Sequence, residues 1–125
     1  FPPFLPVAEA LARFHDAGAV CVAAHPTRAG MDFDPALLAT LPIDAFEIQS
    51  TNMTPIEQKR AAALAERLAV PGIVASDAHR LEDVGAYAVA FDDPVSTVAD
   101  LQRSLCQRRF RIARGAALPD QACTE

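Results

Sequence analysis

Apolar side chains recur at Val7, Leu11 and Phe14 within 7–17 (VAEALARFHDA), the spacing of one helix face. Gly18 follows as the stop, a residue that tolerates left-handed backbone. Residues 19–24 (AVCVAA) are an unbroken apolar run, as expected of a buried strand. Pro26 ends it, because proline has no N–H to give to a sheet. Residues 35–41 (PALLATL) predict a short helix with Pro35 in its first turn. Residues 43–49 (IDAFEIQ) alternate, with Ile43, Ala45, Glu47 and Gln49 on one side and Phe46 and Ile48 on or near the other, and read as a strand.

The clearest signal is 54–69. Thr54 is the N-cap, Pro55 sits at the first helical position and Glu57 completes a capping box. Ile56, Ala63, Leu64 and Leu68 mark the expected buried side, and Gln58, Lys59, Arg60, Glu66 and Arg67 the solvent side. After Pro71-Gly72, short strands are expected at 73–75 (IVA) and 86–91 (AYAVAF). Ser96 and Thr97 open a last helix with Val98, Leu101 and Leu105 on one face, and 110–112 adds a short strand. The polar, small residues of 113–125 read as a poorly ordered tail.

Helices alternating with short strands predict an α/β fold with a mostly parallel sheet. Such sheets carry their functional groups at the C-terminal ends of the strands. Two stretches with metal-ligand chemistry fall there: His25-Pro26 after the first apolar run, and Asp77-Ala78-His79 after 73–75. Imidazole nitrogen and carboxylate oxygen suit zinc, manganese or iron. If the backbone stays extended, Asp77 and His79 project to one side, to ligate one ion or reach neighbouring ones. The spacing alone also fits ordinary loop residues, because a D-x-H pair is common by chance.

Composition narrows the partners. A 125-residue chain with 51% hydrophobic and 22% charged residues builds one globular domain. The formal net charge of −5 and the absence of any basic cluster argue against strong non-specific nucleic-acid binding. No apolar run approaches the roughly 20 residues of a membrane span, and no basic segment precedes a hydrophobic one as a signal peptide would require. Three unevenly spaced cysteines, Cys21, Cys106 and Cys123, are no disulfide framework. Reduced thiols in a cytoplasmic protein are the expectation, with Cys21 a small core residue.

The runs AVCVAAHPTR, IDAFEIQS and RAAALAERLAVPGIVASDAHRLEDVG occur in an order that resembles the C-terminal half of a PHP-domain protein (polymerase and histidinol phosphatase family). The likeness covers roughly 7–112 and is nearest to the stand-alone phosphoesterases. It implies the C-terminal part of a distorted β/α barrel of seven strands over 1–112, with two or three divalent transition metal ions (manganese, zinc or iron) in the complete domain. It further implies hydrolysis of a phosphomonoester or phosphodiester of a small molecule or nucleotide.

Residue by residue, His25, Asp77 and His79 correspond to metal ligands. Arg28 and Arg80 are placed to meet a substrate phosphate, and Glu47 supports the site from behind the ligands. His15 is expected on plain surface. Asn52 falls slightly late of the asparagine that the family places after its acidic strand position. The family's H-x-H motif has no counterpart here, where the histidines are His15, His25 and His79. The expectation is therefore a chain that supplies part of a metal site, belongs to a longer protein and turns over little alone. The alternative is a non-catalytic remnant or module that self-associates through exposed apolar sheet and helix surface.

Overall fold

The computed structural model describes residues 4–30 and 33–114. In chain order these form α1 (Val7–Asp16), β1 (Val22–Ala23), α2 (Pro35–Leu38), β2 (Ala45–Gln49), α3 (Pro55–Arg67), β3 (Gly72–Val74), a 3-10 turn (Leu81–Asp83), β4 (Tyr87–Phe91), α4 (Val98–Cys106) and β5 (Phe110–Arg114). The predicted order of elements is present. β5 runs two residues into the expected tail; the rest of that segment lies outside the described residues.

β1, β2 and β3 form a parallel sheet in that order, with Val22 opposite Ala45 and Phe46 opposite Gly72. β4 and β5 form a separate antiparallel pair, so parallel pairing holds for only part of the strand content. The described residues are thus an α/β fragment and not a closed seven-stranded barrel. Among the described residues β1 has no strand on its outer side, and Val22 on it is 43% exposed.

β2 is the middle strand. Ala45, Phe46 and Glu47 are all buried, so both faces of β2 are covered and the expected alternation is lost. Phe46 packs with Leu38, Leu64 and Ala65, and Ile43, Ile48, Leu68 and Val70 close around them. Gly72 lets β3 lie close to β2: a Cβ there would come within 2.9 Å of the Ile48 side chain, which would have to shift.

The capping box of α3 forms as the sequence predicts, with the Thr54 hydroxyl accepting from the Glu57 N–H and the Glu57 carboxylate accepting from the Thr54 N–H. The buried face of α3 differs from expectation. It consists of Glu57, Ala61, Leu64 and Ala65, while Ile56 is 65% exposed and Ala63 is also exposed. The helix is rotated so that Glu57, besides capping its own N-terminus, faces the loop after β1. α4 has the same kind of start at Thr97 with Asp100, but Val98 is exposed, and Ser104 and Leu105 supply its buried residues.

α1, α3 and α4 end alike. The residue after each C-cap is left-handed (Gly18, Ala69, Arg108), and the next N–H returns to the carbonyl five residues back. Only the first uses glycine. Arg108 also donates to the Ala69 carbonyl oxygen at 3.0 Å, linking two of these helix ends.

Candidate metal centre

The loops after β1, β2 and β3 meet at the C-terminal edge of the parallel sheet. There they bring His25, Arg28, Asn52, Asp77 and His79 together with Glu47 of β2. Two of these, His25 (φ 32°) and Asp77 (φ 47°), have left-handed backbone although neither is glycine. Strain of this kind persists only where surrounding bonds over-determine it, and it clusters at functional sites. The extended D-x-H geometry expected for 77–79 is therefore not what forms.

The bonds that hold these backbones are specific. The Glu47 carboxylate accepts the His25 N–H at 2.7 Å. Glu57 accepts the Ala29 N–H at 2.7 Å, and the Thr27 hydroxyl donates to the Glu57 carbonyl at 2.7 Å. Three donors, from Ala29 and from the backbone and hydroxyl of Thr54, pull the Glu57 carboxyl down to about 2. Thr51 donates its hydroxyl to the Ser76 carbonyl at 2.7 Å. The Ser76 hydroxyl is itself occupied, donating to the Tyr87 carbonyl and accepting from the Gly85 N–H.

Asn52, slightly late in sequence, reaches the site in space. Its amide nitrogen lies 2.6 Å from the Asp77 carbonyl oxygen, 2.8 Å from Asp77 Oδ2 and 3.0 Å from His79 Nδ1. An amide has only two hydrogens. With both on Asp77, His79 Nδ1 carries its own proton and donates it to the Asp77 carbonyl at 2.9 Å. That assignment leaves Nε2 as the acceptor, the tautomer of a histidine ligand whose other nitrogen is anchored on a carbonyl.

A divalent ion fits two features of this edge. His25 Nδ1 is buried and has no hydrogen-bond partner among the described residues. A buried polar atom with no partner costs free energy unless a ligand or ion supplies one. Glu47 is buried, and its carboxyl is pushed up, first by burial and further by the Asp77 charge, against the opposing pull of the His25 N–H and of Arg28. A cation would reverse that balance.

Arg28 is the cation present, with a guanidinium nitrogen 3.9 Å from Asp77 Oδ2. Arg80 is differently placed. Its guanidinium is held by Asp83 at 3.1 Å and Glu82 at 3.2 Å, on the 3-10 turn. Asp83 keeps the Arg80 guanidinium charged, and its own carboxyl is held below the ordinary range, chiefly by Arg80.

His25, Asp77 and His79 do not form a tight cage. Among the described residues the one group of three such side chains whose ligand atoms all lie within 4.8 Å of one another is His15, Cys21 and Asp44, at the opposite edge of the sheet. His15 is accordingly not plain surface: its ring bonds the Asp44 carboxylate at 2.8 Å.

Residues 55–110 match the family model described as PHP-associated. The match agrees with the C-terminal part of a PHP-family protein. This PHP-associated stretch runs from α3 to the first residue of β5, so it includes Asp77 and His79 but not His25. No curated protein and no solved structure matches the chain. Among the described residues no helix is long and apolar enough to cross a membrane.

Proposed function

We propose that the chain supplies one wall of a divalent-metal site that hydrolyses phosphate esters of a small molecule or nucleotide, with His25, Asp77 and His79 as ligands. The observation that carries this reading is the buried Nδ1 of His25, without a partner among the described residues, at the same sheet edge as Glu47, Asp77 and His79. Manganese, zinc and iron all suit this nitrogen and oxygen set. When bound, the ion supplies neutralisation of a phosphoryl oxygen and an acidified water.

The chain's own groups do the positioning. Glu47 fixes the His25 backbone, and Asn52 holds Asp77 and lies against His79. Arg28, half-exposed beside Asp77, donates to the phosphate once Asp77 is engaged elsewhere. Arg80 contributes little to phosphate, since Asp83 and Glu82 already neutralise it. The ligands come from two loops, those after β1 and β3, and remain too spread for one compact cage, so little turnover is expected of these residues alone.

The test is elemental analysis of the protein purified without chelators, beside the Asp77→Ala/His79→Ala double variant. The variant should hold fewer equivalents of transition metal than the parent. Equal metal content in two equally folded proteins overturns the ligand assignment.

A second reading, self-association, has one observation in its favour. Amphipathic α1 contains no buried residue, and Val7, Leu11, Val22, Phe33 and Leu38 line an apolar groove of about 240 Å³. Sedimentation that gives a monomer at high concentration would remove that reading.

A further inference from the structure

The N-terminal edge of the parallel sheet gathers three other metal-binding side chains. Cys21 is the residue before β1 and Asp44 the residue before β2. Parallel pairing places them side by side: the Asp44 N–H donates to the Cys21 carbonyl at 2.9 Å, and the Cys21 N–H donates to Asp44 Oδ2 at 2.7 Å. His15 comes from the last turn of α1 and bonds the same Oδ2 at 2.8 Å. Helix closure at Gly18, with Ala19 N–H on the Phe14 carbonyl, sets how the chain turns from His15 to Cys21.

We propose that His15, Cys21 and Asp44 form a second metal site, which takes a borderline-soft divalent ion such as zinc. One ligand atom from each lies within 4.8 Å of the other two. The donors are nitrogen, thiolate sulfur and carboxylate oxygen, a set that favours zinc or cobalt over magnesium or calcium. Both hydrogen bonds to Asp44 use Oδ2, so neither occupies its second oxygen. Cys21 is buried, while the His15 side chain is 26% exposed, which leaves a side from which an ion and a water ligand can enter. Burial and the neighbouring Asp44 charge raise the thiol. A bound cation opposes both effects, and the Cys21 proton is released to solvent as the ion binds. Three protein ligands leave a fourth position open on a tetrahedral ion. The site shares no residue with the centre at the other edge.

Cobalt(II) titration tests it, because thiolate coordination gives a near-ultraviolet charge-transfer band that the cysteine-free C-terminal edge does not produce. Cys106→Ser and Cys123→Ser are present throughout, so only Cys21 can contribute. The expected result is a band that survives Asp77→Ala/His79→Ala, disappears in Cys21→Ser and is displaced by zinc. His15→Gln, outside the core, removes a ligand and should raise the half-saturating cobalt concentration at least about 100-fold, since even residues that only orient ligands cost about 10–100-fold. No band at large cobalt excess in protein with unchanged circular dichroism overturns the proposal. So does half-saturation unaffected by His15→Gln, a result that stands even where Cys21→Ser fails to fold.

Discussion

The two edges of one three-stranded sheet differ in how their polar groups are satisfied. At the N-terminal edge, Asp44 joins His15 and Cys21 through two hydrogen bonds within 2.8 Å. At the C-terminal edge, His25 and Asp77 have left-handed backbones, His25 Nδ1 is buried without a partner among the described residues, and Glu47 is buried near Asp77. The first edge is compact before any ligand arrives. The second holds strain and uncompensated polarity that a ligand would relieve. Residues at the two ends of the same strands thus differ in how far the fold itself satisfies their polar groups.

The strongest perturbation should remove the contrast altogether. Phe46 is fully buried on β2, between the two edges. Phe46→Ala should cost about 3–5 kcal/mol through lost contacts and a residual cavity. Both edges should then lose amide-exchange protection together. Protection retained at one edge alone would show that they fold as separate units.

Asp44→Ala strikes only the N-terminal edge. It removes the shared acceptor of His15 and the Cys21 N–H, and should cost about 2 kcal/mol of unfolding free energy in denaturant. Amide exchange in 25–29 and 76–79 should stay as it was. Faster exchange there would couple the two edges.

Glu57 sharpens the contrast by pH. Its carboxyl lies at about 2 against an ordinary 4.5, so between those values the unfolded chain binds more protons. The Glu57 contribution is fully present above 4.5 and is lost as pH falls toward 2. Glu57→Gln should flatten this acid limb of the melting temperature and loosen the turn that carries His25 and Arg28. An unchanged limb would remove Glu57 as the anchor of that turn.

The smallest effect belongs to Arg80. Its guanidinium is exposed and pairs with exposed Glu82 and with buried Asp83, which also keeps the Arg80 N–H, so Arg80→Ala should change stability by about 1 kcal/mol. It should also weaken inorganic phosphate binding to the metal-loaded protein less than Arg28→Ala does. The reverse order would return Arg80 to the substrate side.

Much of the local structure was legible in the sequence because its causes are local. The capping box at Thr54 and Glu57, the stop at Gly18 and the strand end at Pro26 each depend on residues within a few positions. The position of His25, Asp77 and His79 at strand ends followed from alternation alone. The buried face of α3 was not legible: a helix of alanines and charges presents several plausible faces, and packing against Phe46 selected Ala61, Leu64 and Ala65. The bonds of Asn52 and His15 were not legible for the same reason, since Asn52 acts on residues 25 and 27 positions away and His15 on one 29 positions away. The one sequence signal for the N-terminal cluster was a Cys and an Asp in the first half of the predicted strands 19–24 and 43–49.

The sequence by itself determined the helix caps, the order of elements and which residues stand at strand ends, because short-range sterics and hydrogen bonds decide these. Only the tertiary structure decided which ends meet, that Arg28 and not Arg80 faces Asp77, and that His25 keeps a buried nitrogen unpaired. Those outcomes depend on strand register and helix rotation, and both are set by packing between residues far apart in the chain.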